Sequence, residues 1–570
     1  MSAEKKRGGM GGGLVPGSYP SPESMRPTLT GQHWSVVAGH PLVSLVAADI
    51  FRAGGNAVDA GVAAGIAGNV VQVDMSNFGG IAPILVRQPA AQECLAVAGV
   101  GRWSHSASLE ELLSRYGGSL PLDGAPAIVP GAPAGWLRAL ERFGTMSFAE
   151  VAEGAIRLAR DGFLLDLRAA KSLEITGRGY SRWPSSMAVY QPNGRPLTAG
   201  DRLRQTDLAE LLQRMVDAEQ SATGDRAARI RAVHDEFYRG DVAERIVSWV
   251  QQQGGYLTLE DLAQFDADVT TGPQLQVGDW TFAATPSWSQ GPVALELLGI
   301  ISRTGGSLHE IAEATTLAFN DREDFFAAPG QMERDIAEFL DSAYLDAQAQ
   351  RIDASTALPG RSGGNRPEPA GTTLGSTTAV VTMDSNGLTF ATSPSDTLDG
   401  GPIIPGLGIV CSPRGVQNRL DPAHPNRMRP GGRPMVTPAA LIAMRGDDSW
   451  ALACPGGDVI VQAMAQVAWR VLDQNMQLQQ AVEAPRIAAF NAPSAFHPHP
   501  TADRLVYAES RLGEAEIAKL QSQGHNVEVW PDFEFDAGSV QTIMSRRNAS
   551  GEPVLLAAAD PRRSAYAISN

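Results

Sequence analysis

The stretch "GTTLGSTTAVVTMDSNG", Gly371 to Gly387, carries two Thr-Thr pairs, Thr372-Thr373 and Thr377-Thr378, five residues apart. It also marks a change of character. The run "DASTALPGRSGGNRPEPAGTTLGS", residues 353–376, is rich in Pro, Gly and Ser and has no apolar periodicity. A long segment of this kind inside a globular chain is usually functional or disordered. "TTAVVTM", "DSNG" and "LTFATS" then read as a hairpin with its turn at Asp384–Gly387. A Thr hydroxyl is a poor nucleophile unless a base sits beside it. When Thr is the first residue of a chain, its own α-amine, with a reference pKa of about 7.7–8.0, is that base. A mid-chain Thr reaches this state only if the preceding peptide bond is cut, and a structureless segment running into a core strand suits such a cut. Read alone, any of the four threonines is a candidate, and an ordinary β-branched strand residue is the competing interpretation.

Outward from this point the chain divides. Upstream, "WSVVAGHPLVSLVAADIFRAGG" reads as a strand and a helix stopped at Gly54-Gly55. "NAVDAGVAAGIAGNVVQV", starting at Asn56, reads as a helix buried on nearly all sides, its small residues letting neighbouring backbones approach. "GGIAPILVRQ" reads as a turn into a buried strand. From about 108 to 350 the pattern is helical, with amphipathic stretches near 131–143, 148–161, 206–219, 241–253, 289–303 and 307–327. Downstream come strands near 438–444 and 449–454, helices near 458–473 and 513–523, and the closing strands "SVQTIMSRR" and "VLLAAADP". The expectation is an α+β protein, helix-rich in its first two-thirds and strand-rich in its last third, without an internal repeat.

Bulk composition narrows the function. A 43% hydrophobic, 19% charged chain of 570 residues is an ordinary globular protein. Its net charge of −16 argues against nucleic acid or an anionic membrane as the main partner. No apolar run is long enough to span a membrane. Residues 1–32 read as a flexible lead without a signal-peptide core, so cytoplasm is the default location. Lys occurs only at positions 5, 6, 171 and 519, so Arg is the general cation here and a single Arg is weak evidence of a special role. Three cysteines, Cys94, Cys411 and Cys454, make no disulfide framework. His497 and His499 form an HxH pair with no further ligand nearby in sequence, and no metal or organic cofactor is expected.

Several segments together carry a resemblance: "FRAGGNAVDAGVAAGIA", "MSNFGGIAPILV", "VPGAPAGWLRALERFGTMSFAEVAEGAIRLARDGF", "GGYLTLEDLAQFDA", "LAFNDREDFFAAP", "CPGGDVIVQAM", "AVEAPRI" and "AAADPRR". In these the chain resembles the gamma-glutamyltransferase family of N-terminal-nucleophile hydrolases, from about residue 35 to its end. The resemblance implies a four-layer αββα sandwich. It also implies self-cleavage of a zymogen between Ser376 and Thr377, giving fragments 1–376 (ordered from 33) and 377–570 that stay together as a heterodimer; a dimer of these is left open. The family nucleophile is the first Thr of a "TTH" opening a strand. Laid without gaps on "TTAVVTMDSNG" it falls on Thr377, whereas Thr372 would need a five-residue insertion. In "CPGGD", Gly456 and Gly457 stand just before a helix, where backbone N–H groups and the dipole favour an oxyanion, and the family's oxyanion hole lies at the matching pair. Ser395 matches a family hydroxyl that contacts the nucleophile.

Recognition of glutamate is where the chain departs. The family Arg that holds the substrate α-carboxylate falls on Val100, with Arg102 nearby. The paired serines are missing from "GGRPMVTPAAL", where Arg433 and Thr437 adjoin the family's substrate-contacting segment. The acidic pair that grips the α-amino group is replaced by "RGVQNRLDPAHPN", and the third residue of "TTH" is Ala379. The expected activity is therefore hydrolysis of a small acyl-amide by a Thr-nucleophile amidase or acylase. A γ-glutamyl hydrolase or transpeptidase acting on glutathione-like compounds, and an unprocessed non-enzymatic relative, are the alternatives. Arg414, Arg419, Arg427, Arg429 and Arg433, opposed locally only by Asp421, are candidates for gripping a substrate carboxylate, Arg433 first among them.

Overall fold

The computed structural model describes residues 24–118, 120–121, 123–361, 377–396 and 400–570, with only the backbone of Arg178. The chain is α+β, and its described part is organised by two seven-stranded antiparallel sheets. The first runs in the order Tyr566–Ser569, Trp34–Ala38, Val380–Asp384, Thr389–Thr392, Ala82–Arg87, Leu95–Gly99, Val269–Thr271. The second runs Leu29–Gly31, Pro553–Ala559, Gln541–Arg547, Asp448–Ala453, Ala440–Arg445, Trp280–Ala284, Gln274–Val277. Both sheets mix strands from before and after residue 377.

The hairpin read from "TTAVVTMDSNGLTFATS" is central to the first sheet. Val380 pairs with Thr392 and Met383 with Thr389. Its turn closes where Gly387 N–H donates to the Asp384 carbonyl at 3.0 Å, and Gly387 takes a φ of +89°, a region that favours glycine. Every residue of both strands is buried. That is why they read as continuous apolar runs rather than alternation.

The helix Ala57–Val71 is buried along all 15 of its residues. Asn56 caps it, accepting from Val58 N–H and Asp59 N–H, while Asp59 returns the bond to Asn56 N–H. Its small residues admit rings: a Cβ at Gly61 would lie 2.4 Å from Phe390, and one at Gly65 2.4 Å from Trp136. Its first turn docks on the hairpin. Thr382 Oγ1 donates to the Ala57 carbonyl at 2.6 Å, and Ala57 N–H donates to the Asp384 carboxylate at 3.2 Å.

Among the described residues three apolar clusters form the core. One joins inward residues of the two sheets, among them Val37, Leu85 and Val381 with Ala283, Ile442 and Ile543. A second joins Val36, Ile84, Val380 and Phe390 to the helices Pro41–Arg52, Ala57–Val71, Ala132–Phe143 and Phe148–Asp161. A third joins Phe282, Leu441, Trp450 and Leu452 to the helices Gly291–Ile301, Leu308–Phe325 and Val459–Leu472.

Three expectations give way. The 108–350 region is not uniformly helical: Val269–Thr271, Gln274–Val277 and Trp280–Ala284 are strands. They have three to five residues each, too short to set a period against flanking helices. The lead expected through residue 32 ends earlier. Leu29–Gly31 is an edge strand paired with Leu555–Ala557, and Met25 and Arg26 N–H donate to Glu483 at 2.6 and 3.0 Å. Finally, Ile487–Ala489, Leu505–Glu509 and Asn526–Trp530 form a separate small sheet that periodicity did not reveal. Among the described residues no helix is long and apolar enough to cross a membrane.

Candidate active site

Thr377 lies just ahead of the strand Val380–Asp384, 1% exposed, bridged to Ser395 at the far end of the hairpin. Thr377 Oγ1 and Ser395 Oγ are 2.9 Å apart. The backbone around both is pinned. Thr378 N–H donates to the Pro394 carbonyl at 3.0 Å, and Ser395 exchanges bonds with Ile81 at 2.9 and 3.2 Å. Thr378 Oγ1 donates to Gln72 Oε1 at 2.6 Å, which ties the segment leading into Val380–Asp384 to the end of the buried helix. From the other side Arg563 Nη1 reaches the Thr377 carbonyl at 3.5 Å. Ser376, Thr372 and Thr373 fall outside the described residues.

Ser395 has a second partner, which the sequence reading had assigned differently. Arg414 Nη2 donates to Ser395 Oγ, and Arg414 Nε donates to the Asp396 carboxylate. All three side chains are buried. A Ser Oγ that accepts from a guanidinium keeps its own hydrogen for donation, and Thr377 Oγ1 is within reach of it. Ser412 Oγ donates to the other Asp396 oxygen at 2.6 Å. Burial pushes the Asp396 carboxyl up, against the pull of Arg414 and Ser412. Asp396 also holds a φ of +113°, a conformation that costs free energy outside glycine and persists only when its surroundings enforce it. The chain of contacts continues: Arg414 Nη1 donates to Gln417 Oε1 at 3.2 Å, and Gln417 Nε2 to Thr437 Oγ1 at 3.3 Å. Thr437 is thus joined to Thr377 through Gln417, Arg414 and Ser395.

Gly456 and Gly457 follow the strand Asp448–Ala453 and precede the helix Val459–Leu472, with φ of +139° and +59°. Their carbonyls accept from Val459 and Ile460 N–H. Their own N–H groups donate to no acceptor among the described residues. Asp458, just ahead of the helix, turns its carboxylate away from the helix N–H groups to Arg322 at 2.7 Å, Gln290 at 2.8 Å and Ala495 N–H at 2.9 Å. Arg322 also pairs with Glu323, which pairs with Arg419 and His424. Burial alone would raise the Glu323 carboxyl; Arg322, Arg419 and the His424 contact outweigh it and hold it well below the ordinary carboxylate range. Cys454, close by, is a buried thiol pushed up to about 12 by burial.

The five arginines of the 414–433 segment are not a loose cationic patch. Beyond local Asp421, distant carboxylates meet three of them: Asp396 pairs with Arg414, Glu323 with Arg419 and Asp268 with Arg433. Arg433 Nε donates to the Val100 carbonyl at 2.8 Å, and its Nη1 shares Asp268 with Arg102 at 3.0 and 3.2 Å. Burial pushes Arg433 down to about 10. Arg102 and Arg433 therefore come together, but on Asp268, with no hydrogen bond to Thr377 or Ser395. Arg414, by contrast, touches Ser395, the partner of Thr377. The sequence signal that could have singled it out was the substituted "RGVQN" segment itself. His497 and His499 stack edge to face at 5.6 Å, with His499 Nδ1 near the Ser494 carbonyl and Arg419. A cleft of about 600 Å³ is walled by Trp183, Val189, Trp249 and Ile403. None of its lining residues is hydrogen-bonded to Thr377 or Ser395 among the described contacts.

The Gamma-glutamyltranspeptidase family profile matches residues 43–569. The Acylase ACY 1 proenzyme of Pseudomonas sp. (strain SE83) is 29% identical over 530 residues, spanning 87% of this chain and 88% of the relative. The Oxamate amidohydrolase proenzyme of Klebsiella pneumoniae is 30% identical over 552 residues, spanning 93% of this chain and 97% of the relative. The crystal structure of a cephalosporin acylase from Bacillus halodurans superposes with a TM-score of 0.83 at 26% identity, covering 98% of this chain and 99% of that one. With the profile spanning nearly its whole length, the chain belongs to the gamma-glutamyltranspeptidase family.

Proposed function

We propose that the chain is a self-processing amide hydrolase with Thr377 as its N-terminal nucleophile, acting on a small acyl-amide. The observation that carries this is the 2.9 Å pairing of Thr377 Oγ1 with Ser395 Oγ at the mouth of a central strand, directly after the 362–376 segment. Relatives named as proenzymes support processing, and the acylase and oxamate amidohydrolase likenesses support amide hydrolysis. The three apolar clusters support reading the fold as a four-layer αββα sandwich.

In processing, Thr377 Oγ adds to the Ser376 carbonyl, and the Ser376–Thr377 C–N bond breaks as the acyl group moves to oxygen. That break frees the Thr377 α-amine, and water then hydrolyses the ester, which releases the Thr377 hydroxyl and the Ser376 carboxylate. In turnover the α-amine takes the Thr377 hydroxyl proton as Oγ attacks the amide carbonyl. Gly456 and Gly457 N–H groups receive the oxyanion, Ser395 holds Oγ, and the α-amine passes its proton to the leaving amine. Water, activated by the same amine, clears the acyl-enzyme as a carboxylic acid. The substituted glutamate-binding positions, Val100, Ala379 and the "RGVQNRLDPAHPN" segment, favour an acyl group that need not be γ-glutamyl.

A denaturing gel with N-terminal sequencing of the small fragment tests this. Fresh wild-type protein is expected to give two bands, the smaller starting at Thr377. Thr377→Ala is expected to give one band and no activity, whereas Thr372→Ala still processes. A persistent single band in wild-type protein would overturn the reading. An amide panel from oxamate to glutaryl compounds, set against a γ-glutamyl anilide, then separates the acyl classes.

A further inference from the structure

Three buried side chains, none hydrogen-bonded to Thr377 or Ser395, converge: His309 and Glu313, one turn apart on the helix Leu308–Phe325, and His525, just ahead of the strand Asn526–Trp530. One nitrogen or oxygen from each lies within 4.8 Å of the others. His309 Nδ1 is 2.8 Å from His525 Nε2, and His525 Nε2 is 3.8 Å from Glu313 Oε1.

The partners on the outer side fix how these groups face inward. His309 Nε2 lies 2.8 Å from the Asp353 carbonyl, which can only accept. In the neutral ring Nε2 therefore carries the hydrogen, and Nδ1 presents a lone pair to the cluster. A ring N–H held by a backbone carbonyl is the usual support of a metal-ligating histidine. Glu313 Oε2 accepts from Leu358 N–H at 2.6 Å, which orients the carboxylate and leaves Oε1 aimed inward. Glu313 Oε1 is wholly buried and has no hydrogen-bond partner among the described residues. A buried carboxylate oxygen without a donor is costly. His525 Nδ1 has no partner either, whether or not Nε2 meets a cation, so it does not discriminate.

We propose that His309, Glu313 and His525 form a binding site for a divalent transition-metal ion of the zinc class. The donor set of two imidazoles and one carboxylate suits such an ion rather than calcium or magnesium. Two nitrogens on one tetrahedral zinc stand about 3.4 Å apart, so the two rings need part by only about half an ångström, while Glu313 closes inward. The site lies away from the proposed reaction centre, and its consequence is structural. Asp353 and Leu358, each bonded to a ligand side chain, bracket the stretch that leads into the 362–376 segment. Two ligands precede residue 377 and one follows it. If processing occurs as proposed, the ion joins the two fragments, although metal binding itself does not depend on cleavage.

The test uses the full chain, stripped with a chelator and titrated with Co²⁺ and then Zn²⁺. Wild-type protein is expected to take up about one Co²⁺ with visible d–d absorption, displaced by Zn²⁺, and to gain melting temperature on adding Zn²⁺. Glu313→Gln and His525→Gln are expected to weaken binding by more than about tenfold, the least that disturbing even an outer partner of a metal site costs. His497→Gln should bind as wild type. Thr377→Ala should also bind, which separates this site from the processing reaction. Absence of a cobalt spectrum in wild-type protein, or undiminished binding by Glu313→Gln, would overturn the proposal. The wild-type titration decides alone if the His525 variant does not fold.

Discussion

Ser395 stands between the proposed nucleophile and a guanidinium, and its value follows from how many bonds one hydroxyl can make. It accepts from Arg414 and lies 2.9 Å from Thr377 Oγ1. Its hydroxyl hydrogen is within reach of that oxygen and can stabilise developing negative charge there. Removing one aimed donor from such a site lowers rate by about 10²–10³-fold. Ser395→Ala is therefore expected to slow both turnover and the appearance of the two fragments on a timed gel by on the order of a hundredfold, with folding preserved. Equal processing rates would show that Ser395 is only a strand residue. Arg414 acts through Ser395 and also neutralises buried Asp396. Arg414→Gln leaves that carboxylate unpaired and is expected to lower unfolding stability by about 3–5 kcal/mol in urea titration. This residue-level wiring was only partly legible. Register against a family pattern selected Thr377 and Ser395, because a strand residue's place is fixed by its neighbours in sequence. The pairing of Arg414 was hidden, because Asp396 lies 18 residues away and meets it only in the folded chain.

The helix Ala57–Val71 shows how much an element can declare in advance. Its run of Ala, Gly and Val without charge beyond Asp59 reads as a helix buried all round, and all its residues are buried. Glycine within such a helix ordinarily costs about 1 kcal/mol relative to alanine. At Gly65 the space decides the opposite sign. A Cβ there would stand 2.4 Å from a ring carbon of Trp136, itself fully buried. Gly65→Ala is expected to destabilise the protein by about 1–3 kcal/mol, the cost of overpacking, measured by the shift in urea midpoint. An unchanged or raised midpoint would mean that the ring gives way. Amphipathic helices such as Phe148–Asp161 were legible for a related reason: a single buried stripe repeats at helical spacing, and Ser147 and Glu150 form a capping box at its start. The strands Val269–Thr271 and Gln274–Val277 were not, because three or four residues at a sheet edge owe their conformation to the strands beside them.

At the scale of the molecule, the segments before and after residue 377 are interleaved, and charge as well as sheet pairing binds them. Val380–Asp384 is flanked by Trp34–Ala38, and Ala440–Arg445 by Trp280–Ala284. Arg322 and Glu323 from the first segment meet Asp458 and Arg419 from the second in one buried network. Charge counting along the sequence missed this, since Glu323 and Arg419 are 96 residues apart. The network sits beneath the Gly456-Gly457 turn, so its integrity bears on the proposed oxyanion donors as well as on cohesion. Because Glu323 is held below its ordinary value of 4.5, its contribution is fully present above that value. It is lost as pH falls from there through the folded-state value. In Glu323→Gln the titrating group is gone, and Arg419 loses its buried partner. The variant is expected to unfold at lower urea at pH 7, by about 3–5 kcal/mol, and the gap to wild type should narrow steadily once the pH drops below about 4.5. In processed protein the same experiment followed by size-exclusion chromatography should find both fragments leaving the native peak together in a single transition, because neither sheet is complete without strands from each. A gap that stays constant into acid would mean that Glu323 is not the group sustaining the network. Fragments separating before the sheets unfold would mean that strand interleaving does not hold them.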